Sequence, residues 1–137
     1  KKFFEKHYFR IKLFRMKCIY KNRLGKSGEL MAKNFLLKKN YKFITANYRY
    51  ERAEIDLIFE DEKNKMLLFA EVKTRRNKKY GLPEESITIS KQNNIRKAAL
   101  GFVNNFPQYS EHDMRIDVVS ILIADDKAEI NHIENAF

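Results

Sequence analysis

The period of apolar positions changes along the chain, and each change marks an element. From Ser27 onward, Leu30, Met31, Asn34, Phe35 and Leu37 recur at helical spacing with lysines on the other side, which predicts an amphipathic helix over 27–39. Ser27 is its expected N-cap and Asn40 its expected stop. Strands are predicted at about 41–50, 54–60 and 66–73. Pro83 then breaks the chain, and Ser90 is the expected cap of a helix over 91–105 that buries Ile95, Ala98, Ala99, Phe102 and Val103. Residues 115–124 are apolar at nearly every position, as a central strand requires, and a short last strand is predicted at 128–133. The order is helix, three strands, helix, strand. One sheet with helices packed against it satisfies that order most economically.

Residues 1–24 behave differently. Phe3, Phe4, Tyr8, Phe9, Ile11, Leu13 and Phe14 interleave with basic residues at a spacing that fits neither period, and a helical extension is the expectation there. Residues 1–26 hold ten Lys or Arg against one acid, Glu5, a local charge of +9 that leaves only +1 of the chain's +10 for residues 27–137. Such a density attracts phosphate polymers or an anionic lipid surface, although a solvated basic arm is the plainer explanation.

The rest of the composition mainly excludes. A chain of 137 residues, 44% hydrophobic and 34% charged, is the size and make-up of one globular domain. No apolar run approaches the roughly 20 residues of a membrane span, so no integral membrane segment is expected. The first residues lack the pattern of a secretory signal, and Cys18 is alone, so the cytoplasm is the expected compartment. His7, His112 and His132 stand too far apart in sequence to suggest a zinc site.

Chemistry concentrates in the second and third strands. In Ala53-Glu54-Ile55-Asp56-Leu57-Ile58-Phe59, alternation sends Glu54 and Asp56 one way and Ile55, Leu57 and Phe59 the other. In Leu67-Leu68-Phe69-Ala70-Glu71-Val72-Lys73, Phe69, Glu71 and Lys73 share a face. The polar stretch 61–65 is the natural turn, and a hairpin centred between Lys63 and Asn64 pairs residues whose numbers sum to 127. Asp56 then stands opposite Glu71, with β-carbons about 4.5–5.5 Å apart. Carboxylates so placed repel unless a proton or cation lies between them, and a hard divalent ion such as Mg²⁺ (or Mn²⁺ in its stead) resolves the conflict. Lys73 adds a positive charge beside it. The set suits phosphodiester hydrolysis, with the metal polarising the phosphate and Lys73 offsetting developing charge or holding water. On an arbitrary strand, a simple surface ion pair between Glu71 and Lys73 is the commoner arrangement.

Several motifs in a set order carry a resemblance. They are Gly28-Glu29, Glu54-Ile55-Asp56-Leu57-Ile58, Glu71-Val72-Lys73-Thr74-Arg75, Gly81-Leu82-Pro83-Glu84-Glu85, Lys91, Arg115-Ile116-Asp117-Val118-Val119 and Asn135-Ala136-Phe137. Over about residues 25–137 the chain resembles the YraN family of uncharacterised bacterial proteins, placed by similarity in the PD-(D/E)XK nuclease superfamily near the archaeal Holliday junction resolvases. The resemblance implies an α/β, restriction-endonuclease-like core in αβββαβ order, with a central mixed sheet flanked by helices. It divides the chain into a basic extension, 1–24, and an endonuclease-like domain, 25–137. It implies Asp56 and Glu71 as metal-binding acids, the Val72 carbonyl as a further ligand, Lys73 as the catalytic lysine and Glu29 as an acid from the first helix. Nucleic acid, DNA above all in branched or damaged form, is the implied partner, and a homodimer the implied assembly. Ala53 stands where the family usually has Gly, which bears on backbone geometry more than on chemistry.

Other features weigh less. Gly25-Lys26-Ser27 imitates the end of a phosphate-binding loop, but Tyr20 holds the place of its first Gly. Arg75, Arg76 and Lys78, in the basic stretch after the site, and Lys91, with Arg96 and Lys97 on the next helix, are the expected grips on a phosphate backbone. Glu54 is either a supporting residue of the site or half of a hairpin ion pair. Arg115 and Asp117 are expected to form a structural ion pair. The alternative to a nuclease is a nucleic-acid-binding module that keeps the nuclease fold without catalysis.

Overall fold

A computed structural model describes residues 9–12, 21–76, 86–125 and 127–137. In chain order its elements are β1 (Phe9–Lys12), α1 (Lys21–Lys38), β2 (Lys42–Tyr50), β3 (Ala53–Asp61), β4 (Met66–Arg75), α2 (Ile89–Asn105), a 3₁₀ turn (Pro107–Tyr109), β5 (Asp113–Ala124) and β6 (Lys127–Ile133). The strands form one mixed sheet in the order β1-β6-β5-β4-β3-β2. Successive strands joined by short turns pair antiparallel, whereas β4 and β5 pair in parallel. Parallel neighbours need a long crossover, and α2 lies between them in sequence to supply it.

Alternation along the strands separates two cores. On one face Leu57, Phe59, Leu68, Ala70, Val119, Ile121 and Ile130 pack under α1 through Ala32, Phe35 and Leu36. On the other, Ile55, Ile58, Leu67, Phe69 and Ile116 pack under α2 through Ile95, Ala98, Ala99 and Phe102. Phe102 is the hub there, meeting Tyr48 edge-on at 5.1 Å, Phe69 at 5.9 Å and Phe106 at 4.6 Å. Truncating such a buried aromatic to Ala costs about 3–5 kcal/mol. Gly101, one turn-position away, lets α2 approach the Tyr50 ring; a β-carbon there would collide with it.

The predicted helix–three strands–helix–strand order is what forms, with three corrections. α1 begins at Lys21, so Ser27 lies inside the helix and is not its cap. Gly25, like Gly28 in the same helix, costs only about 1 kcal/mol, too little to stop it. α2 is capped by Thr88, whose hydroxyl accepts the Lys91 N–H at 3.2 Å, and Ser90 falls within the first turn. Within the segment expected to be a helical extension, Phe9–Lys12 instead pairs with β6 as an edge strand, and residues 21–24 belong to α1. An open sheet edge offers that strand a row of hydrogen bonds that local periodicity does not reveal. No helix among the described residues is long and apolar enough to cross a membrane.

Candidate active site

The β3–β4 hairpin pairs in the expected register, Asp61↔Met66 through Leu57↔Ala70, every pair summing to 127. Pairing stops one step short of Asp56 and Glu71. The cause lies in β3, where Ile55 packs under α2 but Leu57 under α1. Two residues apart on a regular strand share a face, so the strand rotates at Asp56. Its neighbour β2 does the same at the same level. Ala46 faces α1, Tyr48 faces α2, and Asn47 between them, opposite Asp56, has a φ of 52°. This corrects the sequence expectation that Ile55, Leu57 and Phe59 share one face. The rotation turns the Asp56 side chain toward β4, where its Oδ2 accepts the Val72 N–H at 2.7 Å. A hydrogen bond to a charged acceptor contributes about 1.5–3 kcal/mol, and here it stands in for a rung of the ladder.

Glu71 lies on β4, two residues past Phe69 and on the α2 face, and is only 3% exposed. Its Oε1 is 2.6 Å from Lys91 Nζ on α2 and 3.6 Å from Lys73 Nζ. Its Oε2 is buried with no hydrogen-bond partner among the described residues. Burial and the neighbouring Glu71 charge push the Asp56 carboxyl up to about 7; the Val72 hydrogen bond opposes this, and Glu29 adds to it. Burial and the adjacent Lys91 charge lower Lys73 below the usual lysine value, against the pull of Glu71. Burial would also lower Lys91, but its hydrogen bond to Glu71 and the acids' charge hold it above the ordinary value. Burial, then Glu54 and Glu71, raise Glu29.

α1 is held against this end of β4 by a close approach. Gly28 meets Thr74, and a β-carbon at Gly28 would run into the Thr74 side chain. That contact brings the next residue, Glu29, within electrostatic range of the site.

Asp56, Glu71, Lys73 and Lys91 therefore converge, and Glu29 acts on them through its charge. Val72 is engaged through its N–H, a different atom from the carbonyl implied by the resemblance. Arg75 ends β4, and Arg76 follows it, exposed. Lys78 lies outside the described residues. Glu54 pairs with Arg49 across the β2–β3 hairpin at 3.1 Å. Arg96 is turned to Asn93 at 3.1 Å and over the Phe137 ring. Among the described residues no three or more His, Cys, Asp or Glu side chains converge as a ready metal-ligand set. The acids come as a pair. That donor set still fits a hard cation of the Mg²⁺ type, which is held by one or two carboxylates and keeps several waters. The orphaned Glu71 oxygen, and an Asp56 that resists ionising beside Glu71, are what such a cation would relieve.

A family model described as "Uncharacterised protein family UPF0102" matches residues 28–121. The chain belongs to this family. It is 43% identical to a UPF0102 protein of Syntrophomonas wolfei over 114 residues, 83% of this chain and 96% of that protein. A UPF0102 protein of Chloroherpeton thalassium is also 43% identical, over 82% of this chain and 92% of its own length. One from Clostridium botulinum is 35% identical over 83% and 93%. The UPF0102 match takes in Gly28, Glu29, Asp56, Glu71, Lys73 and Lys91 together, from the first helix to β5.

Sequence reasoning missed a second polar cluster on the other face of the sheet. Asp117, fully buried, accepts two bonds from Arg115 at 2.8 and 2.9 Å, one from His132 Nε2 at 2.8 Å and one from the Asn135 N–H at 3.0 Å. Lys39 Nζ lies 2.9 Å from His132 Nδ1, so with Lys39 donating the ring presents its Nε2–H to Asp117. Burial would raise Asp117, but the His132 and Arg115 bonds hold it below the usual carboxylate range. The expected Arg115–Asp117 pair is thus half of a larger network. A signal existed in Ala128, Ile130 and His132, which alternate along one buried face of β6; a histidine in such a row needs a polar partner.

Proposed function

We propose that the chain is a metal-dependent endonuclease that hydrolyses phosphodiester bonds of DNA, on a core of the PD-(D/E)XK kind, with branched or damaged DNA as its substrate class. The observation that carries this is the buried Glu71, one oxygen without a partner, set beside an Asp56 whose proton is held by burial and by Glu71 itself. Asp56 and Glu71, with the Val72 carbonyl, would hold Mg²⁺. When bound, the ion would polarise the phosphate and lower the pKa of a water on it. Lys73, lowered from its usual value, gives up and retakes a proton more readily than a free lysine, which suits it to hold the attacking water or meet developing charge. Arg75 and Arg76 hold the phosphate backbone and set position rather than sequence.

A second reading has its own observation. Lys91 already neutralises Glu71 at 2.6 Å, so the fold can stand without a metal and serve as a nucleic-acid-binding module. Cleavage of labelled duplex, single-stranded, forked and four-way-junction DNA with Mg²⁺ or Mn²⁺ separates the two. The nuclease requires metal-dependent cleavage that disappears in Asp56→Ala and falls at least about 100-fold in Lys73→Ala, with DNA binding retained. Binding to every substrate with cleavage of none would favour the module.

A further inference from the structure

Lys91 is in an odd place for a lysine. It is the third residue of α2 after the Thr88 cap, where a capping box would carry Glu, and the first turn holds no acid at all. A cation there works against the helix dipole. Local helix preference therefore does not explain it. What holds Lys91 is Glu71 from another element, at 2.6 Å, while Lys73 stands off from the same oxygen at 3.6 Å and the other oxygen has no partner among the described residues. The Lys91 side chain is 43% exposed although the carboxylate it meets is buried. Its four-carbon stem can carry the ammonium out into solvent without moving α2.

We propose that Lys91 is an exchangeable counter-ion. Its ammonium stands on Glu71 where a divalent cation would bind, leaves that oxygen when the cation arrives, and is then free to meet a substrate phosphate. This inference rests on the metal-dependent nuclease reading and adds a coupling to it. Metal affinity is low while Lys91 occupies Glu71, and rises when a phosphate gives Lys91 somewhere else to go. By linkage, metal raises affinity for the phosphate by the same factor.

The test is Mn²⁺ binding to the full chain by calorimetry, for wild type, Lys91→Met, Lys91→Arg and Glu71→Gln, each with and without a phosphorothioate DNA duplex. Without DNA, Lys91→Met should bind Mn²⁺ roughly tenfold more tightly than wild type, Lys91→Arg should resemble wild type, and Glu71→Gln should lose binding. The duplex should tighten Mn²⁺ binding to wild type by a larger factor than to Lys91→Met, because only wild type has a lysine to displace. Thermal melting guards against a misfolded variant: Mn²⁺ should raise the melting temperature of Lys91→Met by more than that of wild type. If wild type binds Mn²⁺ through Glu71 and Lys91→Met binds no more tightly, the exchange is wrong and the nuclease reading stands. If neither wild type nor Lys91→Met binds Mn²⁺ at millimolar concentration, the metal-dependent reading itself falls, and the exchange with it.

Discussion

The two buried carboxylate clusters on opposite faces of this sheet are built from similar residues and end in opposite states. Under α1, Asp117 has both oxygens filled by Arg115, His132 and the Asn135 N–H, and its carboxyl is held below the usual range. At the open end of the β3–β4 hairpin, Glu71 has one oxygen in an ion pair and one with no partner among the described residues, and Asp56 is pushed up to about 7. A fully bonded buried charge stabilises the fold only while all its partners remain. An incompletely bonded one is under standing electrostatic strain that an added cation or proton relieves. The contrast separates a completed structural network from a candidate site without reference to any bound group.

The largest effect that can break this contrast belongs to Asp117→Ala. It strands Arg115 and His132 and should cost roughly 3–5 kcal/mol in urea unfolding. A loss below about 1 kcal/mol would mean the network is not the structural anchor described here. Next comes pH, where the two acids should act with opposite sign. Asp56 has a raised folded-state value, so the folded chain holds a proton there that the unfolded chain releases. Stability is thus lost as pH rises from about 4 to about 7, on the order of 4 kcal/mol, and then levels off. Urea melts in EDTA should show this descent in wild type and not in Asp56→Asn; parallel curves would remove the shifted proton from the account. Asp117 is the reverse case. Its lowered value stabilises the fold above about pH 4 and is lost as pH falls through the folded-state value, so acid should unfold wild type through this network. The smallest effect sharpens the comparison from outside. The exposed Arg49–Glu54 pair belongs to neither buried cluster, and Arg49→Ala should change stability by less than about 0.5 kcal/mol.

Much of this was legible in advance. The strands at 54–60 and 66–73, the turn between them and the sum-of-127 register follow from alternation and turn chemistry, which are local properties. Asp56, Glu71 and Lys73 could be grouped for the same reason. The rotation of β2 and β3 at Asn47 and Asp56 was not legible, because alternation carries straight through both positions; Asn47, a residue type that tolerates positive φ, was the one local signal. Lys91 was expected only as a grip on a phosphate backbone and was not readable as the partner of Glu71, since 20 positions of sequence separate them and only the α2 crossover closes that gap. His132 looked idle among scattered histidines until β6 set it beside Asp117.

The sequence by itself determined the elements from the body of α1 onward and their order, the pairing of the central hairpin and the presence of two acids and a lysine at its open end, because periodicity and turn residues act over a few positions. Only the tertiary structure decided which face each core residue takes around Asp56, which oxygen of Glu71 is filled and by what, and that Asp117 is complete where Glu71 is not. Those outcomes depend on side chains from separate elements competing for the same buried volume, and the charge state each can keep there depends on how much water that packing excludes.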